Sequence, residues 1–150
     1  GGLLHDIGKL QVPDAVLKKP GPLDDEEYAL IQRHPEWGDQ LARDLGLPDR
    51  VRRLVRSHHE RLDGSGYPDG VAGDGLDLDV RILTTCDVYD ALISERVYRD
   101  AWSKSDALAR LREETGKAFD PRCVKALERV LERPSSEYHI PPELATPRKP

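Results

Sequence analysis

Two adjacent histidines, His58 and His59, close a stretch of helical periodicity, and a run rich in glycine leaves directly from them. Between residues 61 and 75 stand Gly64, Gly66, Gly70, Gly73 and Gly75, too many for a regular element, so the chain must turn there. Side chains of neighbouring helical residues point about 100° apart, so two adjacent imidazoles seldom share one buried apolar stripe. Two readings follow. The pair is either a solvated helix end with a cationic cap, or two metal-bearing rings beside a backbone-exposing loop, which would set a Lewis acid next to an anion pocket.

The rest of the chain is patterned for helices. Residues 3–8 read as a last helical turn ended by Gly8 at C′, and residues 9–23 as a loop broken by Pro13, Pro20, Gly21 and Pro22. Asp24 or Asp25 caps a helix through Tyr28, Ile31 and Gln32 to His34. Pro35 opens another at N1, with Trp37, Leu41 and Leu45 as its apolar residues and Gly46 as its stop. Pro48 and Asp49 begin the helix of Val51, Leu54 and Val55. His58 lies at i+7 from Val51 and so points inward.

The longest periodic segment runs from about Asp77 to Ser94, with Val80, Leu83, Asp87 and Asp90 along one face. Carboxylates that continue an apolar stripe are costly to bury without a cation; a surface face that merely begins apolar is the alternative. Ser103 with Asp106 caps the next helix, and Asp120-Pro121 caps the last, through Val124, Leu127, Val130 and Leu131. The expectation is an all-α fold, a single bundle of about seven helices over residues 1–133. A proline-rich tail follows over residues 134–150.

A length of 150 residues suits one core. The net charge of -5 argues against a protein that coats a nucleic-acid polymer. No apolar run approaches the roughly 20 residues of a membrane span, and no signal peptide is visible. Cys86 and Cys123 read as reduced packing residues, which points to the cytoplasm. The chain has no Met and starts Gly-Gly-Leu-Leu against a motif, so it reads as the C-terminal part of a longer protein with a sensory or receiver region upstream.

Of five histidines, His5, His34, His58 and His59 lie at helix starts or ends; His139 is in the tail. With Asp6 beside His5, and Asp87 interrupting a core face, six candidate ligands emerge. Such a set suits Fe, Mn, Zn or Ni, and the lack of a Cys ligand speaks against structural zinc. Six exceed what one ion usually takes, so a dinuclear site bridged by Asp6 is the economical arrangement. Two ions roughly 3.5–4 Å apart would clamp a phosphoryl group and activate a water.

His5-Asp6 with Ile7-Gly8-Lys9, then His58-His59-Glu60-Arg61 running into Asp63-Gly64-Ser65-Gly66-Tyr67-Pro68, resembles the HD-GYP domain of bacterial cyclic di-GMP phosphodiesterases. The agreement continues through Arg81-Ile82, Asp87-Val88-Tyr89-Asp90-Ala91-Leu92, Ser94, Arg96, Tyr98-Arg99, and Gly116 with Phe119-Asp120-Pro121. The resemblance implies an HD-type bundle hydrolysing cyclic di-GMP to linear pGpG or GMP, with two or three divalent ions, Fe or Mn. It makes His5, Asp6, His34, His58, His59 and Asp87 metal ligands, with Asp6 and Lys9 acting at the scissile phosphate. Gly66, Tyr67 and Pro68 become the loop that shapes the substrate and protein-partner surface. Asp90, Arg96 and Arg99 fall near the phosphates and guanine, a task the forked arginine side chain suits.

The family also has a histidine ligand upstream of the His-Asp pair, which this chain begins too late to contain; on its own it is expected to bind metal incompletely. Val97 stands where the family commonly has proline, and Leu76-Asp77-Leu78 where it has an Ile-Pro before the long helix. The rival functions are a cyclic di-GMP receptor or docking module without turnover, and a hydrolase of another nucleotide within the wider His-Asp superfamily.

Overall fold

The structure is a computed structural model, and it describes residues 2–95 and 100–133. Seven α-helices follow one another: α1 Asp14–Leu17, α2 Asp25–Ile31, α3 His34–Asp44, α4 Asp49–Ser57, α5 Leu78–Ile93, α6 Lys104–Glu113 and α7 Pro121–Glu132. Two 3-10 turns, Ile7–Gln11 and Gly73–Gly75, complete the regular structure, and there is no strand among the described residues. The all-α expectation holds. Arg96, Arg99 and the tail from residue 134 lie outside the described residues.

The helix ends follow local chemistry. Asp24 caps α2 in a reciprocal box with Glu27, each side chain accepting the other's backbone N–H at 2.9 Å. Gly46, at φ +67°, closes α3: its N–H reaches Arg43 O and that of Leu47 reaches Ala42 O, both at 2.9 Å, which satisfies two carbonyls at the helix end. Ser103 caps α6 through the N–H of Asp106, and Asp120 caps α7 through that of Arg122.

The first segment departs from expectation. Gly8 does not end a helix; it is buried inside the turn Ile7–Gln11. A Cβ there would lie 1.9 Å from His34 O and 2.5 Å from Gly38 N, so glycine is required because two backbones touch. Residues 9–23 are not all loop either, since Asp14 opens the single turn of α1 and its carboxylate takes Lys18 at 2.6 Å.

α3 buries a different stripe from the one its large residues suggest. His34, Gly38 and Ala42 face inward, while Leu45 is 65% exposed and Trp37 lies under the Arg33 guanidinium, 4.9 Å from its ring centre. Small residues win because α3 packs closely against both α4 and the turn Ile7–Gln11; a Cβ on Gly38 would meet Val55 Cγ1 at 2.6 Å. The cysteine expectation holds for Cys123, which is buried, and fails for Cys86, which is exposed on α5.

α5 runs along α4 and receives α6 and α7 near its end. There Tyr89, Ala107, Leu111, Ala118, Phe119 and Val124 form the main apolar core. An ion pair between half-buried Arg81 and buried Asp120 ties this core to the glycine-rich loop. Arg81 gives one N–H to Asp120 at 3.0 Å and two others to Gly73 O and Leu76 O, each at 2.8 Å. The Arg122 guanidinium, then burial opposing it, then the N–H of Arg122 and Arg81 act on Asp120, and together they hold its carboxyl well below the usual carboxylate range. Asp120→Ala removes the α7 cap and leaves Arg81 in the interior without its acid. It is expected to cost about 3–5 kcal/mol, read as a lower urea midpoint at unchanged slope; a loss under about 1 kcal/mol would contradict this account of the pair.

Candidate metal centre

α4 ends at Ser57, and His58 takes the cap position, at φ −66° and ψ −13°. The chain turns away there, which answers how neighbouring rings can serve one site: His59 lies beyond the helix and swings back. The two ring centres are 4.1 Å apart. His58 is fully buried, as its spacing from Val51 implies. Thr84 on α5 donates its hydroxyl to His58 O at 2.9 Å, fastening this corner to the helix that carries Asp87.

His34 and His58 are oriented in the same way. Each places Nδ1 2.7 Å from the carbonyl three residues earlier, Ile31 O and Val55 O respectively. A contact of that kind needs an N–H, which assigns the proton to Nδ1 and leaves the Nε2 lone pair facing inward. The two Nε2 atoms are only 3.1 Å apart. Asp6 Oδ1 lies 3.3 Å from the first and 3.7 Å from the second, and it is buried without a hydrogen-bond partner. Unless a ring takes up a second proton, three acceptors thus converge on one point with no donor among them. That arrangement demands a cation, and the donor set of imidazole and carboxylate fits a divalent transition metal.

Asp6, His34, His58 and His59 each offer a ligand atom, all within 4.8 Å of one another. His5 and Asp87 adjoin this group. His5 Nε2 is 3.5 Å from Asp6 Oδ2 and 3.4 Å from Asp87 Oδ1, its Nδ1 is 2.5 Å from Gly2 O, and His59 Nδ1 is 4.0 Å from Asp87 Oδ2. Lys9 reaches Asp6 Oδ2 at 2.6 Å. The six side chains named from the sequence therefore meet in one network, with Lys9 at its edge.

Charge follows this geometry. Burial pushes the Asp6 pKa up, but His34, His58 and Lys9 outweigh it, so the carboxyl is held well below its ordinary value. Asp87 is likewise pushed up by burial and pulled down further, by His5 above all, with a net lowering. The Asp87 hydrogen bond in turn raises His5. Burial, then the charges of His58 and His34, pushes His59 down to about 3.

The glycine-rich loop covers His59. The Tyr67 ring stacks on it with centres 4.8 Å apart and planes 27° from parallel, and the Tyr67-Pro68 peptide is cis. Gly66 allows this approach, since a Cβ on it would lie 2.5 Å from His59 O, Glu60 Cα and Arg61 N. Asp90 is exposed on α5, one turn beyond Asp87. Glu60 had no role in the sequence reading. It is 1% exposed, and its carboxylate accepts the N–H groups of Asp69, Gly70 and Val71 at 2.7, 3.1 and 3.1 Å. An acid directly after two histidines and ahead of a glycine-rich loop was the available signal.

An all-α bundle that gathers imidazoles and carboxylates at one point defines a helical domain with a His/Asp cluster that could hold a metal ion. A family model described as HD domain matches residues 1–123, and the chain belongs to that family. It is 47% identical over 130 residues to the cyclic di-GMP phosphodiesterase response regulator RpfG of Xanthomonas campestris pv. campestris, covering 84% of this chain and 34% of that protein. It is 46% identical over 136 residues to 3′3′-cGAMP-specific phosphodiesterase 3 of Vibrio cholerae, covering 91% and 30%. The chain thus spans about a third of the length of these curated relatives. Among solved structures, Bd1817, an HDG"Y"P protein from Bdellovibrio bacteriovorus, has the same fold, with a TM-score of 0.70 at 23% identity over 87% of this chain and 42% of that one. No helix among the described residues is long and apolar enough to cross a membrane.

Two predictions follow from this geometry. Gly8→Ala should separate Asp6 from His34 and lower both melting temperature and bound metal, measured by thermal denaturation and elemental analysis; wild-type metal content would contradict the close-approach argument. Unfolded, His59 takes a proton near pH 6.5, whereas in the fold it refuses one until about pH 3. The unfolded state binds the extra proton in that window, so stability from this ring is lost as pH falls from about 6.5 toward 3. Metal-free wild type should lose about 1.4 kcal/mol more per pH unit than His59→Asn between pH 6 and 4, by urea unfolding. Parallel pH profiles would refute a half-buried His59 that resists protonation.

Proposed function

We propose that this chain is the catalytic part, residues 1–133, of a cytoplasmic bacterial phosphodiesterase that hydrolyses cyclic di-GMP to linear pGpG or GMP. The observation that carries the reading is the convergence of Asp6 Oδ1, His34 Nε2 and His58 Nε2 with Lys9 beside them. His5, Asp6, His34, His58, His59 and Asp87 would hold two or three divalent ions, Fe or Mn. When bound, such ions polarise a phosphoryl oxygen and lower the pKa of water. The same relatives' names, and the agreement of the Gly66-Tyr67-Pro68 loop with the HD-GYP pattern, support the substrate class.

The chain's own groups then have definite work. Asp6 and Asp87, both held below the ordinary carboxylate range, remain ionised at neutral pH and keep their ligand oxygens available. The Lys9 ammonium, fixed on Asp6, offsets negative charge that develops at the phosphoryl group, the kind of preorganised electrostatic help that usually weighs most in catalysis. Tyr67 and Pro68 shape the rim where a nucleobase and a protein partner would contact the domain. Asp90, Arg96 and Arg99 are assigned to the phosphates and guanine. The relatives are about three times as long, and one is named a response regulator, so a sensory or receiver region upstream belongs to the same reading.

The full-length protein loaded with Fe or Mn under reducing conditions should turn over cyclic di-GMP and stop when chelator is added. Asp6→Asn should lower kcat/KM by more than the roughly 10- to 100-fold that losing a ligand's hydrogen-bond partner costs, because it changes a ligand itself. Nucleotide binding in a calorimeter without any product, metal being present, would instead favour a receptor. A second substrate, 3′3′-cGAMP, is favoured by the relative of that specificity; the ratio of kcat/KM on the two cyclic dinucleotides decides between them.

A further inference from the structure

Glu60 is a buried acid with no part in the chemistry above, yet it follows His59 directly. Its carboxylate fills a nest of three consecutive amides, those of Asp69, Gly70 and Val71. Two carboxylate oxygens have lone pairs enough to accept all three N–H groups. Asp69, whose amide Glu60 takes, sends its own carboxylate outward to Arg56 on α4, with both oxygens at 2.7 Å. The loop is thereby held from inside by Glu60 and from outside by Arg56. Between the His59 end of this clamp and its Asp69 end lie Gly66, Tyr67 and Pro68, with Tyr67 N–H donating to His59 O at 3.3 Å and its ring stacked on the His59 ring.

We infer that Glu60 is a positioning residue, which holds the Gly66–Pro68 segment and the Tyr67 ring against His59 and so sets the rim on which the cyclic dinucleotide is bound. The inference rests on the phosphodiesterase reading for its substrate, and on this structure alone for the clamp. Glu60 touches neither the metal ligands' side chains nor substrate; it acts through the loop. Its removal should therefore weaken substrate binding more than turnover. A merely structural role would lower melting temperature, metal content and kcat together.

The test compares wild type with Glu60→Gln in the whole, metal-loaded protein. The amide keeps one acceptor oxygen but turns its NH2 toward one of the loop N–H groups. Hydrogen exchange at Asp69, Gly70 and Val71 should speed up at least tenfold, and KM for cyclic di-GMP should rise about tenfold, with kcat and bound metal within twofold of wild type. Unchanged exchange and unchanged KM, or a fall in kcat that tracks lost metal, would overturn the inference. If Glu60→Gln does not fold, Glu60→Asp, whose carboxylate falls one methylene short of the three amides, must speed exchange at Asp69, Gly70 and Val71 and give the same split between KM and kcat, and the opposite split counts against it. If wild type turns over no cyclic dinucleotide, the phosphodiesterase reading falls, and exchange at the three amides still decides the role of Glu60.

Discussion

Three electron pairs face one another in the middle of this domain. The Nε2 atoms of His34 and His58 approach to 3.1 Å while their Nδ1 protons are committed to backbone carbonyls, and an unpaired oxygen of Asp6 closes the triangle. Two imidazole lone pairs and a carboxylate oxygen repel at that range unless a positive charge, a ring proton or a metal ion, lies among them. The rest of the molecule holds these atoms in that unfavourable proximity. Gly8 and Gly38 let the turn bearing Asp6 lie directly on α3, and a side chain at either would collide with backbone or with Val55. Fold stability is thus spent on assembling a site that only a cation makes comfortable, which is the usual relation between strain and function.

A buried acid, Glu60, and a half-buried base, Arg81, order the loop between the ligand-bearing helices. Glu60 collects its N–H groups from the His59 side, and Arg81 collects its carbonyls from α5. An acid for donors and a base for acceptors is the least costly way to order a segment with no ladder of its own. Because Arg81 also pairs with Asp120 at the start of α7, the apolar core and the loop over the site are mechanically joined. Thr84 adds a third tie, from α5 to the carbonyl of His58.

Much of this was legible in residue order, for identifiable reasons. Caps and stops at Asp24, Gly46, Ser103 and Asp120 depend on contacts within a few residues, so the sequence carries them openly. The candidate ligands were visible because His and Asp at helix ends, and an acid continuing an apolar face, make poor sense as packing. What stayed hidden depends on distant backbone. Gly8 looked like a helix stop because nothing local reveals His34 O beneath it, and the buried stripe of α3 favoured His34, Gly38 and Ala42 over Trp37, Leu41 and Leu45 because close helix approach outranks side-chain size. Glu60 was missed since a buried acid and a surface acid are written with the same letter.

The most direct measurement is anomalous diffraction from crystals of the protein loaded with Mn or Fe. The account predicts a peak roughly 2.0–2.3 Å from His34 Nε2, His58 Nε2 and Asp6 Oδ1. An empty triangle with the ion elsewhere, the two rings sharing a proton in its place, would contradict it.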